Sequence, residues 1–266
     1  MRNALLIASN TFRDAMRQKL LLLIVFIAAI LAGLSKYMLR FDLGHEKLKC
    51  VFDFGSGAMT FFGALIAVTA TCQLIHSELD NRTIITLLSK PVNFVQLAFG
   101  KLLGVCGALA VFAIIVTAVT CLMLAITEFE IIERAGGKIP EGLLNPSWSG
   151  IACWALIQWF KLATVASVAC AICAASSSLM FSVITSFMVL AATMARSANI
   201  WFGSDENLAT QLTGYILPNF EIFAKSELFA FAGVNAMTFA ATIAYSCVYI
   251  AACCGLASWL FSKREF

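Results

Sequence analysis

Few residues in this chain combine a reactive type with a spacing that supports chemistry. Cys170 and Cys173 have the Cys-x-x-Cys spacing of a redox pair. They lie in an apolar run without flanking Pro or Gly, where packing within a helix is the favoured reading. Nine of the ten cysteines lie in apolar runs, and only Cys50 sits in a polar stretch, so no pairing is implied. The two histidines, His45 and His76, are expected on opposite faces of a membrane and cannot share a metal. A Gly-x-Ser-x-Gly nucleophile motif is absent. Gly100-Lys101 is followed by Leu102 and lacks the earlier glycine of a phosphate-binding loop. The expectation is a chain with no catalytic residue, no metal site and no ATP-binding motif of its own.

One charge stands out. Lys161 lies about twelve residues into an apolar run, and a mid-membrane lysine costs roughly 2.5–3.5 kcal/mol on insertion scales. Two readings stay open. The lysine faces the interior of a helix bundle, on a pathway or interface. Alternatively its run starts above the membrane and the side chain snorkels to the outer headgroups, which Trp159 nearby also fits. Intramembrane carboxylates, the usual mark of proton coupling, are missing from the apolar runs.

The elements that must position these residues follow from composition. Of 266 residues, 61% are hydrophobic and 12% charged, with a mean hydropathy of +0.90. A soluble domain carries roughly 25% charged residues, so the chain is an integral membrane protein. A net charge of +3 is too small to suggest nucleic-acid binding. Crossing the hydrocarbon takes about 20 apolar residues. Six runs qualify, at about 20–39, 57–75, 102–126, 150–174, 179–195 and 236–261. All four prolines fall between them, which suits uninterrupted helices. The fold class is therefore an all-α integral membrane bundle of six helices, forming a single domain over 1–266. The first run reads as a retained signal anchor, because its long charged n-region and lack of a cleavage site do not suit a cleavable leader. With both termini inside, the inner segments hold nine Lys/Arg in 49 residues against seven in 80 outside. The bias favours both termini in the cytoplasm.

The segments between the runs carry the rest. Residues 3–17 form an amphipathic helix, with Leu5, Ala8, Phe12 and Met16 on one face and Asn3, Asn10, Arg13, Asp14 and Arg17 on the other. It is expected to lie in the headgroup plane rather than continue the first span. Within the inner loop His76–Lys101, Ser77 or Asp80 can cap a short helix with an apolar stripe of Ile84, Leu87 and Leu88, which ends near Lys90 before Pro91. It is either a short force-carrying helix against a soluble partner or an ordinary interfacial loop. The outer segment 196–235 is too long for a plain connector, and its aromatic second half predicts short helices at the outer surface. The tail Lys263-Arg-Glu-Phe266 is a basic stop favoured by anionic lipid.

Several of these stretches, in order, resemble the permease subunits of ABC-2-type ABC transporters. Asn10-Thr-Phe-Arg-Asp-Ala-Met-Arg17 resembles the family's basic helix before the first span. The stretch from Glu78 to Val92, with Phe99-Gly-Lys101 after it, resembles the loop between spans 2 and 3. Leu217-Pro-Asn-Phe-Glu-Ile-Phe223 resembles the outer segment before span 6. Asn93 departs from the pattern, where Ser or Thr followed by Arg is usual. The resemblance implies a six-span permease paired with a second permease copy or homologue and with two ABC ATPase subunits. ATP and Mg would be bound by those partners. It implies that Glu78, Arg82, Thr83, Lys90 and Pro91 form the ATPase-coupling loop, and that Pro218, Asn219 and Phe220 mark the outer segment. The function it implies is export by alternating access or lateral extrusion. A non-transporting scaffold or sensor would look much the same in sequence. A secondary transporter ranks third, because no internal repeat or broken span is visible.

Overall fold

The computed structural model describes residues 2–38, 47–80, 94–134, 146–202 and 217–263. Within them the chain is entirely helical apart from short connections. Helix α1 spans Arg2–Arg17 and α2 spans Lys19–Met38. Gln18 breaks them: its N–H turns back to Ala15 O at 3.1 Å, while its carbonyl receives Leu22 N–H at 3.2 Å and starts the next helix. The two axes bend by 66° across that break. Helix α1 therefore does not run straight on into α2.

Helices α3 (Lys47–Asp80), α4 (Phe94–Arg134), α5 (Trp148–Ala175) and α6 (Leu179–Phe202) follow. A cap comes next, built of α7 (Glu221–Ala224), a 3-10 turn (Lys225–Leu228) and α8 (Phe229–Ala232). Helix α9 (Ala236–Lys263) ends the described chain. These helices outrun the apolar stretches that mark them. Helix α4 has 41 residues, roughly 60 Å at about 1.5 Å per residue, twice the hydrocarbon thickness. The apolar run 102–126 marks only the hydrophobic middle of the helix, much of which is buried against its neighbours. Charged and polar residues outside it, such as Glu128, Glu130 and Glu133, have good helix propensity and carry the helix onward.

Helices α3, α4, α5 and α9 are each long and apolar enough to cross a membrane, and the bent α1–α2 pair brings the number to five. Helix α6 holds a shorter apolar stretch, Leu179–Met194. The described residues thus support an all-helical membrane protein with four to five candidate spans, where the sequence suggests six.

Helix α5 is the hub and packs on α3, α4, α6, α8 and α9. Three contacts fix its direction against α3: Phe52 on Trp154, Gly63 on Leu162, and Cys72 on Cys173. The residue numbers rise together, so α3 and α5 run parallel. Helix α4 runs antiparallel to both, with Lys101 reaching Leu74 at one end and Thr120 lying against Gly55 at the other. The bundle consequently has a cap end, where α3 and α5 begin under residues 217–232, and a loop end, where α3 ends and α4 begins.

The buried face of α1 is the one its periodicity marks, turned toward Thr11 and Ala15, with Phe12 and Met16 still packed on the core and Leu5 left out. Leu5 and Leu6 are exposed, whereas Thr11 and Ala15 are buried and Ala8 and Phe12 half-buried. The reason is its seat on α4. A Cβ at Gly104 would stand 2.5 Å from Thr11 Cβ and 2.8 Å from Ala8 O, and one at Gly107 would stand 3.0 Å from Phe12 Cδ2. The two glycines form a groove that takes Thr11 and the Ala8 backbone at Gly104 and the Phe12 ring at Gly107.

Candidate functional site

The cap is bolted to the first turn of α5. Ser147 N–H donates to Ala230 O at 2.8 Å, and its hydroxyl donates to Phe229 O and Ala230 O at 3.1 and 3.2 Å. These bonds satisfy two carbonyls at the end of a short helix, which otherwise has none to offer them. Gly150 lies directly against the Phe229 carbonyl, so any side chain there would collide with backbone. Phe231 closes the contact edge-on against Phe52, with ring centroids 5.5 Å apart. Gly233 then turns the chain at φ +89°, a conformation suited to glycine, and releases it into α9.

Each residue of the expected outer segment has a visible task. Pro218 is buried ahead of the cap. The Asn219 N–H donates to Tyr245 Oη of α9 at 2.9 Å, and its side-chain Oδ1 accepts the Glu221 N–H at 3.0 Å. That second bond starts α7 by satisfying a free N–H of its first turn. Phe220 is buried and turns its ring toward α5.

Lys161 meets it there. The lysine is the fourteenth residue of the 28-residue α5 and only 8% exposed. Its Nζ lies 5.8 Å from the Phe220 ring centroid, within cation–π range. Glu227 of the cap attracts the same ammonium through space. The structure thus brings Lys161 and the outer segment into one place, which their separation in sequence does not reveal. Trp159 does not sit free at an interface: its indole N–H donates to Cys106 O of α4 at 2.9 Å.

Two neighbours of Lys161 escape sequence reasoning. Trp154 and Gln158 are fully buried on the same face of α5, and neither the indole N–H nor either atom of the Gln158 amide has a hydrogen-bond partner. The signal that reveals them is spacing. Residues 154, 158 and 161 stand at i, i+4 and i+7, a stripe of hydrogen-bonding side chains down one face of a mostly apolar helix. Beside the stripe, toward the cap end, a cavity of about 500 Å³ is lined by Lys49, Phe52, Asp53, Ser56, Glu227 and Phe231. Burial pushes the Glu227 carboxyl above its ordinary range; the Lys161 ammonium opposes the shift and the Asp53 carboxylate adds to it.

At the loop end, Glu78 belongs to the last turn of α3. Arg82, Thr83, Lys90 and Pro91 lie outside the described residues. The stems on either side are tied together. Lys101 is 3% exposed and donates from Nζ to Leu74 O at 3.4 Å. His76 is buried with Nδ1 3.2 Å from Cys72 O and Nε2 3.4 Å from Ser182 Oγ of α6. Cys173 contacts Cys72 of α3, with sulfurs 3.3 Å apart, rather than its sequence neighbour Cys170. Among the described residues no group of three His, Cys, Asp or Glu is placed to hold a metal.

A bundle of long apolar helices, with a helical cap at one end and tied stems at the other, is the form of a multi-pass membrane component. A family model described as an ABC-2 family transporter protein matches residues 15–193, well over half of the chain. The chain belongs to that family. It is accordingly a membrane permease of an ABC transporter, a transport component and not itself the catalytic ATPase. The family implies partnership with an ABC ATPase subunit. A search of curated proteins gave no match.

Proposed function

We propose that this chain is the membrane half of an ATP-driven exporter. Separate ATPase subunits bind ATP and Mg, this chain carries no cofactor of its own, and a second permease copy or homologue completes the pathway. The chain crosses the cell or inner membrane six times, with α1–α2 and α6 contributing the spans that length alone does not certify. Both termini and the loop end face the cytoplasm, and the cap faces outside. Closure of the ATPase dimer would push on the segment from Glu78 to Pro91 and rock the bundle between access states.

The observation that carries this reading is the tie at the loop end. A segment that receives force must pass it to the helices rather than absorb it. The Lys101 bond to Leu74 O joins the two stems of that segment, and His76 beside Ser182 joins α3 to α6. A push on the segment would therefore move three helices together. The test is co-purification with an ABC ATPase subunit, together with substrate-stimulated ATP turnover. Glu78→Arg and Arg82→Glu are expected to lose both. Wild-type association and turnover in both variants would remove the coupling role.

A further inference from the structure

The cavity at the cap end is walled by charged and apolar side chains together. It encloses about 500 Å³ between the start of α3 and the cap, room for a small organic molecule. It opens to the surface, because Lys49, Asp53 and Leu228 on its walls are all exposed. The α3 wall supplies Lys49, Asp53 and Ser56, whose hydroxyl donates to the Asp53 carbonyl at 3.0 Å. The cap wall supplies Glu227, with Leu228 and Phe231 beside it.

Charge decides what fits. Lys49 and Asp53 stand at i and i+4 on α3, where opposite charges offset one another. Glu227 is then the excess charge of the walls, and Lys161 pulls on it from α5, outside them. Asp53 adds to the cost of ionising Glu227, so the two carboxylates feel each other across the space. A cation between them would relieve that repulsion. Among the described residues no third His, Cys, Asp or Glu joins them to hold a metal ion, and the space far exceeds one ion. The apolar walls point the same way. Leu228 is 65% exposed. Phe231 is half-buried, and the buried Phe52 holds its ring edge-on at 5.5 Å. A fixed phenyl ring beside a carboxylate suits an alkylated or arylated cation.

We propose that this cavity binds an organic cation with an apolar body. Its charge sits between Glu227 and Asp53, and its apolar part lies on Leu228 and Phe231. Lys49 repels it and limits the affinity. The proposal rests on the exporter reading only for which side of the membrane supplies or receives the cation. Binding itself is measured without ATP or any partner, so the two can fail separately.

The experiment follows radiolabelled tetraphenylphosphonium by equilibrium dialysis against the purified full chain in a neutral maltoside detergent, with empty micelles as the blank. Wild type is expected to bind saturably. Glu227→Gln should weaken binding about tenfold, and Phe231→Ala about fivefold. Lys49→Met should strengthen it about threefold, a gain that a misfolded chain cannot give. Equal affinity in wild type, Glu227→Gln and Lys49→Met would overturn the site. Displacement by neutral triphenylphosphine oxide as effective as by unlabelled tetraphenylphosphonium would overturn the need for charge. Displacement by calcium at matched ionic strength would mean a bare ion and overturn the organic ligand. Phosphatidylethanolamine added to the micelles offers an ammonium from lipid. It should leave the label in place, and displacement would overturn the choice of a free cation.

Discussion

Glu227 links the cap to the bundle by charge, and its protonation makes that link measurable. Burial favours its neutral form, Lys161 favours the ionised form, and Asp53 works against ionisation. The net result is a folded-state pKa above the unfolded value of about 4.3. The folded chain then holds this proton more tightly than the unfolded one, so its contribution to stability is complete below that unfolded value. It is lost as pH rises through the folded pKa. Melting temperature in detergent should therefore decline over that interval, and Glu227→Gln should remove this part of the decline. Equal pH slopes in the two proteins would refute the assignment. Lys161→Met should move the decline to higher pH, because the ammonium that favours ionisation is gone; a decline at unchanged pH would mean that Lys161 does not reach Glu227. Lys161 itself was legible in the sequence as a charge in an apolar run. Its direction was not, because hydropathy is nearly uniform around α5 and no periodicity marks the inward face. What turns it inward is Phe220, 59 positions later in the chain.

Helices outlast the hydrophobic signal that announces them, and packing faces obey steric fit more than polarity. That the described elements are all helices was readable from apolar runs and from prolines confined to the connections. Their ends were not, since Lys47–Asp53 and Glu128–Arg134 are helical without being apolar. The contact face of α1 is a sharper case. Hydrophobic periodicity selects Leu5, Ala8, Phe12 and Met16; the last three are half-buried and Leu5 is exposed, while the fully buried residues are Thr11 and Ala15 beside them. Close approach to Gly104 favours the small Ala8 and Thr11 there, Gly107 makes room for the Phe12 ring, and Leu5 and Leu6 are left exposed. Gly104→Ile should force α1 off its groove at a cost of about 1–3 kcal/mol, the usual penalty for overpacking. The measurement is a lowered melting temperature together with faster proteolysis after Arg13 and Arg17, which α1 otherwise protects. Wild-type values for both would show that α1 does not depend on that groove. The cap offers a parallel test, because Gly150 abuts the Phe229 carbonyl. Gly150→Val should displace the cap from Ser147 and expose Phe229, which is now 5% exposed. Hydrogen exchange at Ala230 and Phe231 would report the displacement, and unchanged exchange would count against it.

Transport by alternating access needs some helices to move as one body and others to move against it, and the packing indicates which belong together. Helices α3 and α5 run parallel and touch along their length, from Phe52 on Trp154 near the cap to Cys72 on Cys173 toward the loop end. Gly63 deepens the contact, since a Cβ there would lie 2.5 Å from Leu162. Close-packed interfaces of this kind resist continuous deformation, so the pair should stay joined through the cycle. Helix α9 also packs extensively on α5, although its outer faces are exposed, and His76 beside Ser182 ties α6 to α3 at the loop end, so both should travel with the pair. The cysteine pair provides the means to test this. A membrane-permeant thiol oxidant should join Cys72 to Cys173, withdrawing two electrons and two protons from the pair and giving a disulfide that peptide mapping detects. Cys173→Ala should abolish the product, whereas Cys170→Ala should not. If α3 and α5 move as a unit, the joined protein should keep its full ATP-driven turnover with the partner subunits. Loss of turnover on joining, restored by a reductant and absent in Cys173→Ala, would show instead that the hinge of the cycle runs between these two helices.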